Sequence, residues 1–303
     1  MTRVLVTGAT GFVGRRLLRR LENPVVLSRD ATRAKQQITG QEITPFAWNA
    51  SEEIAPTQAF QGVDTVFHLA GEPVAEGRWN AAKKQRLRKS RQLGTRNLVD
   101  ALAKLEDKPK VLVSASAVGY YGTRKDELLT ESSGPAGDFL AGICTEWEEE
   151  AHRASEHGIR VVSLRIGVVL GPGGGALAKM LTPFRLGVAG TLGNGQQWMP
   201  WIHLDDLVSL FIFCADTPEI NGPVNATAPT PVTNREFTKA MGSVLSRPTV
   251  LPMPAFALRL IFGEFGNILL ASQRVIPSVA EAAGFEFRFG EIEPALRDIL
   301  GQD

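Results

Sequence analysis

The feature that most constrains the fold of this chain is the alternation of short apolar runs with amphipathic segments. RVLVTG (3–8), PVVLSR (24–29) and PKVLVSAS (109–116) are nearly continuous runs of strand-forming residues, whereas FVGRRLLRRLE (12–22) carries apolar residues at helical spacing. Apolar strands with little polar alternation are typical of parallel strands that are covered on both faces. The sequence therefore predicts an α/β protein with a Rossmann-type doubly wound parallel sheet.

Glycines follow the first predicted strand at a spacing that is typical of dinucleotide binding. Gly8, Gly11 and Gly14 form G-x-x-G-x-x-G, where the backbone must turn tightly and approach a pyrophosphate. The second predicted strand ends in Ser28 and Arg29, where an NAD-preferring protein usually has Asp or Glu. Because an arginine beside a hydroxyl suits a 2′-phosphate, the sequence predicts NADPH/NADP as the cofactor.

The amino-acid composition of the chain changes after residue 171, where glycine and proline become frequent. Such a stretch is typical of binding loops. We predict an NADP-binding Rossmann domain over residues 1–170, with residues 200–228 packing back onto it. Residues 171–199 and 229–303 are predicted to form a small C-terminal substrate lobe.

Charge and composition narrow the classes of partner. The 303-residue chain has a net charge of +1, which does not favour nucleic acid or an anionic membrane as partner. No apolar run approaches the length of a membrane-spanning helix, and the N-terminus lacks a signal-peptide pattern. We therefore expect a cytoplasmic protein. We also expect it to be a monomer or a homodimer. The stretch 78–96 holds eight Arg or Lys residues and no acid. It is either the solvated face of a helix or a source of one or two cations for a cofactor phosphate.

Cysteine and histidine usage does not indicate a metal site. Cys144 and Cys214 stand far apart in apolar helical patterns, and we interpret both as buried thiols. The four histidines lack the spacing of metal ligands.

Nine stretches of the chain carry a resemblance to a known family. They are TGATGFVG, HLAGEP, SRQLGTRNLV, SASAVGYYG, LRIGVVLGPGGGAL, PFRLG, GNGQQWMPWIHLDDLV, GPVNATAP and GFEF. Together they resemble the YfcH-like epimerase-family proteins, an atypical branch of the extended short-chain dehydrogenase/reductase superfamily. The resemblance covers nearly the whole chain. It implies an NADP-binding fold of the nucleotide-sugar epimerase type, without a defined substrate.

The glycine motif and the resemblance together predict which residues contact the cofactor. The predicted cofactor-binding residues are Gly8, Thr10, Gly11, Phe12, Val13, Gly14, Ser28, Arg29, Leu69, Ala70, Gly71, Arg91 and Ser114. The resemblance implies that residues 10–13 line the pyrophosphate and that residues 69–71 border the adenosine and its ribose. Arg91 stands where extended relatives have an asparagine. We therefore expect it to supply a cation near the nicotinamide half of NADPH.

The helix that carries a catalytic tyrosine and lysine in this superfamily lacks both residues here. GDFLAGICTEWEEEA (137–151) offers Phe139 with Ile143, or Leu140 with Cys144, at the required spacing. Neither pair can transfer a proton.

A second stretch matches the tyrosine–lysine spacing by letter. Tyr121 and Lys125 are four residues apart, but they follow the fifth strand directly and span Gly122 in a predicted loop. The pair needs a helical turn to bring the lysine to the tyrosine, so we interpret this match as coincidence.

The remaining polar residues define the candidate catalytic and substrate groups. Ser116, Tyr120 and Tyr121, at the carboxyl end of the fifth strand, are the predicted catalytic residues. One tyrosine could donate a proton if Arg91 or another cation biased it toward ionisation; alternatively, both tyrosines pack within the lobe interface. The predicted substrate-binding residues are Arg165, Gln197, Trp198, Trp201 and His203.

Two functions are consistent with these residues. The first is an NADPH-dependent oxidoreductase or epimerase that acts on a small polar carbonyl or sugar-like substrate. The second is a non-catalytic NADPH-binding or sensing protein on the same scaffold. The polar loops favour the first function, and the missing tyrosine–lysine pair favours the second.

Overall fold

Thirteen strands and eleven α-helices are found in the computed structural model, which describes residues 3–301. The strands are β1 (Arg3–Thr7), β2 (Val25–Ser28), β3 (Thr44–Ala47), β4 (Val63–His68), β5 (Val111–Ala117), β6 (Leu128–Leu129), β7 (Arg160–Ile166), β8 (Val168–Leu170), β9 (Trp198–Met199), β10 (Trp201–His203), β11 (Gly222–Ala226), β12 (Val232–Thr233) and β13 (Arg274–Val275). The helices are α1 (Phe12–Leu18), α2 (Ala31–Gln37), α3 (Ala81–Ala103), α4 (Phe139–His152), α5 (Gly175–Arg185), α6 (Leu204–Asp216), α7 (Asn234–Leu245), α8 (Ala255–Phe262), α9 (Phe265–Leu269), α10 (Ser278–Ala282) and α11 (Ile292–Leu300). Short 3₁₀ turns span Thr57–Phe60, Val118–Tyr121 and Arg153–His157.

The central sheet has seven parallel strands in the order β11-β7-β5-β4-β1-β2-β3. The chain proceeds outward from β1 through β2 and β3 on one side, and through β4, β5, β7 and β11 on the other. This arrangement confirms the predicted doubly wound α/β fold. The crevice at which the direction reverses lies at the carboxyl ends of β1 and β4, where ligands bind in such sheets.

Alternate residues of the strands enter two separate apolar layers. Val6 and Val113 pack with helices α1 and α6 on one face, whereas their neighbours Leu5 and Leu112 pack with helix α3 on the other. Side chains along a strand point alternately to opposite faces, so a sheet with helices on both sides buries nearly every residue of its strands. This accounts for the continuous apolar runs in the sequence.

A third apolar cluster lies outside the two layers of the sheet. It combines α5, α7 and α11 through residues such as Leu177, Phe184, Phe237 and Leu296. We propose that this cluster is the core of the substrate lobe. By contrast, α6 contributes Leu207 to the layer under the central sheet.

No helix within residues 3–301 combines the length and the apolar composition needed to cross a bilayer.

Candidate functional site

The glycine turn after β1 has no room for side chains. Gly8 has a φ of +69°, in the left-handed region, and a Cβ there would lie 2.6 Å from the carbonyl carbon of Leu69. A Cβ on Gly14 would lie 2.3 Å from the carbonyl oxygen of Gly8. Gly11, the N-cap of α1, has no side chain with which to cap the first amides of the helix. The turn therefore presents closely packed backbone, which suits contact with a pyrophosphate.

The other predicted residues of the turn have three different surroundings. Thr10 lines a cavity at the end of β2. The Phe12 ring packs against the backbone of Gly174, in the loop that follows β8. Val13 packs against the apolar layer under the sheet. Phe12 thus joins the glycine turn to a loop near the start of the lobe.

The cavity at the end of β2 has a volume of about 480 Å³ and contains the predicted 2′-phosphate residues. Ser28 and Arg29 are these predicted residues, and Arg33 lines the cavity beside them. Asp30 lines it as well, but its Oδ1 accepts a 2.8 Å hydrogen bond from the backbone amide of Arg33 and so caps α2. The polar groups that remain for a ligand include the hydroxyls of Thr10 and Ser28, two guanidinium groups and the Gln37 amide, and this combination fits a phosphate.

A buried histidine supports the loop after β4. His68 Nδ1 lies 2.7 Å from Thr7 Oγ1, and His68 Nε2 lies 3.0 Å from Thr95 Oγ1 on α3. Thr7 Oγ1 also accepts a 3.2 Å hydrogen bond from the Ala70 amide. Burial lowers the pKa of His68 to about 4, so the ring is neutral at pH 7. The histidine therefore links β1, β4 and α3 and holds the predicted ribose loop, residues 69–71.

Arg91 lies against the end of that loop. Its guanidinium donates hydrogen bonds to the carbonyl oxygens of Glu72 (3.1 Å) and Leu87 (3.2 Å) and lies 4.9 Å from the centroid of the Trp147 ring. A Cβ on Gly71 would lie 3.4 Å from the central carbon of the guanidinium. Burial lowers the pKa of Arg91. Arg91 thus lies at the predicted ribose loop, where it binds backbone carbonyl groups.

Two other cations of the basic stretch pair with acids of α4. Arg88 makes two hydrogen bonds to Glu146, and Arg96 pairs with Glu150. These pairs join α3 to α4 and account for part of the positive charge without a ligand.

A polar network occupies the carboxyl ends of β5 and β7. Ser116 Oγ donates a 2.6 Å hydrogen bond to Glu148 Oε1, and Arg165 makes two hydrogen bonds to the Glu148 carboxylate, of 2.9 and 2.8 Å. Burial alone would lower the pKa of Arg165, but the hydrogen bonds and charge of Glu148 outweigh it and raise the pKa. Ser114, the other predicted serine, is buried one residue before Ala115 and donates to its carbonyl oxygen at 3.2 Å.

Tyr121 is fully enclosed by this network. It is 0% exposed, its hydroxyl donates to Asn225 Oδ1 at 2.7 Å, and the same oxygen accepts from Arg165 Nη1 at 2.9 Å. Burial raises the pKa of Tyr121 to about 12, because it outweighs the opposing effect of Arg165. Tyr121 is therefore a structural link between β5, β7 and β11.

Tyr120 has a different environment, although it adjoins Tyr121. Its ring centroid lies 3.5 Å from the guanidinium carbon of Arg165, compared with 5.2 Å for the Tyr121 ring. Tyr120 is half-buried, and its hydroxyl has no hydrogen-bond partner among residues 3–301. The cation that lies against both tyrosine rings is Arg165, whereas Arg91 lies against Gly71.

Helix α4 presents apolar side chains to the turn that carries the tyrosines. Leu140 and Cys144 are the nearest neighbours of Gly119, at 3.5 and 3.7 Å from the position of a Cβ there. Burial raises the pKa of Cys144 to about 12, so its thiol is not an acid at neutral pH. Glu148, one turn further along the helix, is the carboxylate that binds Ser116.

The tyrosine–lysine match at residues 121–125 does not form a helical turn. The 3₁₀ turn ends at Gly122 with a φ of +59°, and Lys125 has a φ of +53° in the following loop. The backbone carbonyl of Lys125 accepts a 2.6 Å hydrogen bond from Ser272 Oγ. The loop is as predicted, and its geometry differs from that of a catalytic helix.

Two of the predicted substrate residues line a second cavity, of about 970 Å³. Gln197 and Trp198 form part of its wall together with Asp126, Asn194 and Gln196. Trp198 Nε1 donates to Asp126 Oδ1 at 2.7 Å. The wall therefore offers amide groups and the surface of an indole ring.

The other two residues of that stretch have packing and capping roles. Trp201 is buried in the lobe cluster, where its Nε1 donates to the carbonyl oxygen of Thr230 at 3.2 Å. His203 is the N-cap of α6: its Nδ1 accepts from the Asp205 amide at 3.0 Å, and its ring stacks on Phe289 with centroids 3.9 Å apart. Burial lowers the pKa of His203.

Three residues of the polar network were not predicted from the sequence. Glu148, Asn225 and Glu131 come from separate segments of the chain and meet only in the fold. One signal was available for Glu148: it follows Leu140 and Cys144 at a spacing of four residues and so shares their helix face. Among residues 3–301, no group of three or more His, Cys, Asp or Glu side chains is placed to hold a metal ion.

Two family models match the chain. Residues 4–226 match the NAD dependent epimerase/dehydratase family, which covers the glycine turn, the cavity at β2 and the polar network. The chain belongs to this family. Residues 253–299 match a domain of unknown function, DUF1731, which includes α8 and α11.

Curated relatives extend over almost the whole chain. The chloroplastic SDR39U1 homolog of Arabidopsis thaliana, an epimerase family protein, is 43% identical over 303 residues, covering 98% of this chain and 86% of the relative. The epimerase family protein YfhF of Bacillus subtilis is 36% identical over 302 residues, covering 98% of this chain and 97% of the relative. The resemblance to epimerase-family proteins is thus confirmed.

Solved structures share the fold. Human epimerase family protein SDR39U1 (isoform 2), crystallised with NADPH, superposes with a TM-score of 0.89 and 33% identity over 100% of both chains. UDP-glucuronic acid 4-epimerase from Bacillus cereus superposes with a TM-score of 0.79, covering 99% of this chain and 98% of its own. Its identity is 16%, so this second similarity concerns the fold alone.

Proposed function

We propose that this chain binds NADPH and acts as an oxidoreductase or epimerase on a small polar carbonyl or sugar-like substrate. Three observations support the cofactor: the glycine turn after β1, the hydroxyl and guanidinium groups at the end of β2, and the NADPH in the human relative. When bound, NADPH supplies a hydride for a carbonyl carbon.

The residues that would hold the cofactor lie along the carboxyl edge of the sheet. The backbone of residues 8–14 would face the pyrophosphate, and Ser28 with Arg29 would bind the 2′-phosphate through charge-assisted hydrogen bonds. Arg91 would support cofactor binding indirectly, by keeping the loop of residues 69–71 in its observed position against α3.

The environment of Tyr120 is the observation that favours catalysis. Its hydroxyl is unpaired within the described chain, while its ring stacks on a guanidinium that two bonds to Glu148 hold in place. We infer that the phenol of Tyr120 donates its proton to the substrate oxygen and is reprotonated by water. Arg165 would stabilise the negative charge that develops on the phenol. The role of the superfamily's lysine, which lies on a helix, would thus be taken by Arg165 on β7.

Replacement of Tyr120 tests this assignment. Tyr120→Phe keeps the ring on Arg165 and removes only the proton donor. We expect turnover to fall at least about 100-fold, the usual contribution of a general acid, with unchanged NADPH affinity. Turnover would be followed by NADPH fluorescence on a panel of small polar aldehydes, ketones and nucleotide sugars.

Lys125→Ala is the matched control, because Lys125 belongs to the tyrosine–lysine match that the loop geometry does not support. We expect this variant to keep its turnover and its NADPH affinity. Loss of turnover in Lys125→Ala, with Tyr120→Phe still active, would refute the assignment of Tyr120.

A second candidate function is that of a non-catalytic NADPH-binding protein. The observation that favours it is the apolar face of α4, where Leu140 and Cys144 stand in place of an acid and a cation. Arg165 and Tyr121 are also fully engaged in internal hydrogen bonds. Tight NADPH binding without turnover on the whole panel would select this function over the first.

A further inference from the structure

Exposed apolar side chains are concentrated on one side of the lobe. Ten large hydrophobic residues are exposed within residues 3–301, and eight of them lie in the segments 186–188 and 250–262. The eight residues are Leu186, Val188, Val250, Leu251, Phe256, Leu260, Ile261 and Phe262. We call this surface the lobe face. Contiguous apolar surface of this kind usually marks an interaction site.

Hydrogen bonds join the chain on either side of residues 186–188 to the stretch that leads into α8. The Leu251 amide donates to the carbonyl oxygen of Ala189 at 3.4 Å, and Arg247 Nε donates to the carbonyl oxygen of Arg185 at 3.1 Å. Helix α8 begins four residues after Leu251 and buries only Leu258 against the protein. Its other large apolar side chains, those of Phe256, Leu260, Ile261 and Phe262, are exposed.

The charge of the lobe face is of a single sign. Residues 182–190 and 246–263 contain Arg185, Arg247 and Arg259, all exposed, and neither stretch contains Asp or Glu. Glu264, the acid that follows α8, is paired with Lys84. The lobe face therefore combines apolar side chains with positive charge, which is complementary to an anionic apolar surface.

The exposure and the charge of the lobe face indicate which kind of partner binds there. Leu260, Val250 and Phe256 are 76%, 74% and 72% exposed, so they project from the surface. Projecting apolar side chains of this kind can enter the headgroup boundary of a bilayer. A symmetric pair of these faces would also bring six arginines together with no acid from these stretches to offset them.

We propose that the lobe face binds peripherally to the surface of an anionic phospholipid bilayer. The apolar side chains of α8 and of the 186–188 loop would enter the headgroup boundary, and the three arginines would contact lipid phosphates. The overall charge of +1 does not predict this partner, because the positive charge is local to the face. The inference is independent of the reaction at Tyr120.

Vesicle co-sedimentation of the full chain tests the proposal. We expect binding to phosphatidylcholine vesicles that contain phosphatidylglycerol and much weaker binding to phosphatidylcholine alone. The double variant Phe256→Gln/Leu260→Gln should lower the partition coefficient at least about tenfold, because two projecting apolar side chains are lost. Arg259→Gln should lower it about fivefold on the anionic vesicles and have little effect on neutral ones.

Leu128→Gln and Ile54→Gln are matched controls, because both residues are exposed hydrophobics outside the lobe face. They should leave the partition coefficient unchanged. Unchanged melting temperature and NADPH affinity in all variants would show that the fold is retained.

Three results would overturn the proposal. The first is wild-type protein that fails to bind anionic vesicles at low salt. The second is binding that the controls reduce as much as the variants of the lobe face. The third is a concentration-dependent dimer in sedimentation velocity that Phe256→Gln/Leu260→Gln disrupts, which would assign the face to a second copy of the chain.

Discussion

At the scale of single residues, Tyr120 and Tyr121 show how adjacent side chains acquire different roles. The turn after β5 brings the Tyr121 hydroxyl to Asn225, whereas the half-buried Tyr120 contacts Arg165 through its ring. A buried hydroxyl with two partners is expected to act in folding, since its loss leaves polar groups unpaired.

Tyr121→Phe should therefore reduce stability, whereas Tyr120→Phe should not. Removing the Tyr121 hydroxyl leaves Asn225 Oδ1 without this donor and Arg165 without one acceptor, so we expect a loss of about 1–3 kcal/mol in the free energy of unfolding. Tyr120→Phe should change it by less than about 0.5 kcal/mol. Urea unfolding of the two variants measures the difference, and equal losses would contradict the structural role of Tyr121.

Arg29 determines the predicted preference for the phosphorylated cofactor. Arg29→Asp places a negative charge in the cavity at the end of β2, where the 2′-phosphate would lie. We expect NADPH binding to weaken by about 1.5–3 kcal/mol, while NADH binding changes little. Isothermal titration calorimetry with both cofactors provides the comparison. Equal affinities of the unmodified protein for NADPH and NADH would refute the preference.

The cofactor end was predictable from sequence because its residues lie within short local motifs. The glycine turn and the Ser28–Arg29 pair each occupy a few consecutive positions, and the fold brings them to one edge by a general rule of doubly wound sheets. The network around Arg165 was not predictable in this way. Glu131, Glu148 and Asn225 are brought together by the packing of α4 and β11 against β7, which spacing along the chain does not specify.

At the scale of elements, helix α4 lies where the sequence predicts a helix, but it ends earlier than predicted. The sequence predicts a helix from about 139 to 157, whereas α4 ends at His152 and the Arg153–His157 segment is a 3₁₀ turn. Gly158, with a φ of +78°, closes that turn by the left-handed conformation that glycine adopts most readily. Arg153 pairs with Asp100 and Glu150 at this point.

His68 couples the stability of three elements to pH. Its pKa is about 4 in the folded protein and about 6.5 when unfolded, so the unfolded chain binds more protons between these values. The contribution of neutral His68 to the free energy of unfolding is complete above about pH 6.5 and is lost as the pH falls toward 4. We expect a loss of about 2 kcal/mol by pH 5 and about 3 kcal/mol by pH 4.

Urea unfolding of wild type and His68→Gln across pH 5 to 7 isolates this effect. Burial also lowers the pKa of His203, so this residue contributes to the pH dependence of both proteins and the difference between them is the relevant quantity. The variant should be less stable at pH 7 and should have a shallower pH dependence. Parallel curves for the two proteins would show that His68 does not carry the linkage.

At the scale of the whole molecule, the loop between β4 and α3 makes one of the contacts between the proposed lobe and the sheet domain. Trp79 in this loop makes a tilted contact with Phe265 of α9, with centroids 6.3 Å apart, and an edge-to-face contact with Phe139 of α4, at 5.8 Å. Lys179 of α5 donates to the carbonyl oxygen of Ala75 at 2.7 Å. The part of this loop that comes after the predicted ribose loop, residues 69–71, therefore contacts both the proposed lobe and α4.

This arrangement predicts that Trp79 slows the release of cofactor. Trp79→Ala removes both aromatic pairs, each of which contributes about 0.5–1.5 kcal/mol, and leaves the glycine turn and Arg29 unchanged. We expect the dissociation rate of NADPH, measured by stopped-flow fluorescence, to rise about three- to tenfold while the association rate changes little. Glu264→Gln is the control, because its ion pair with Lys84 is partly exposed and should contribute less than the aromatic pairs. If Trp79→Ala changes neither rate, or if Glu264→Gln has the larger effect, the contacts of the lobe with this loop do not retain the cofactor.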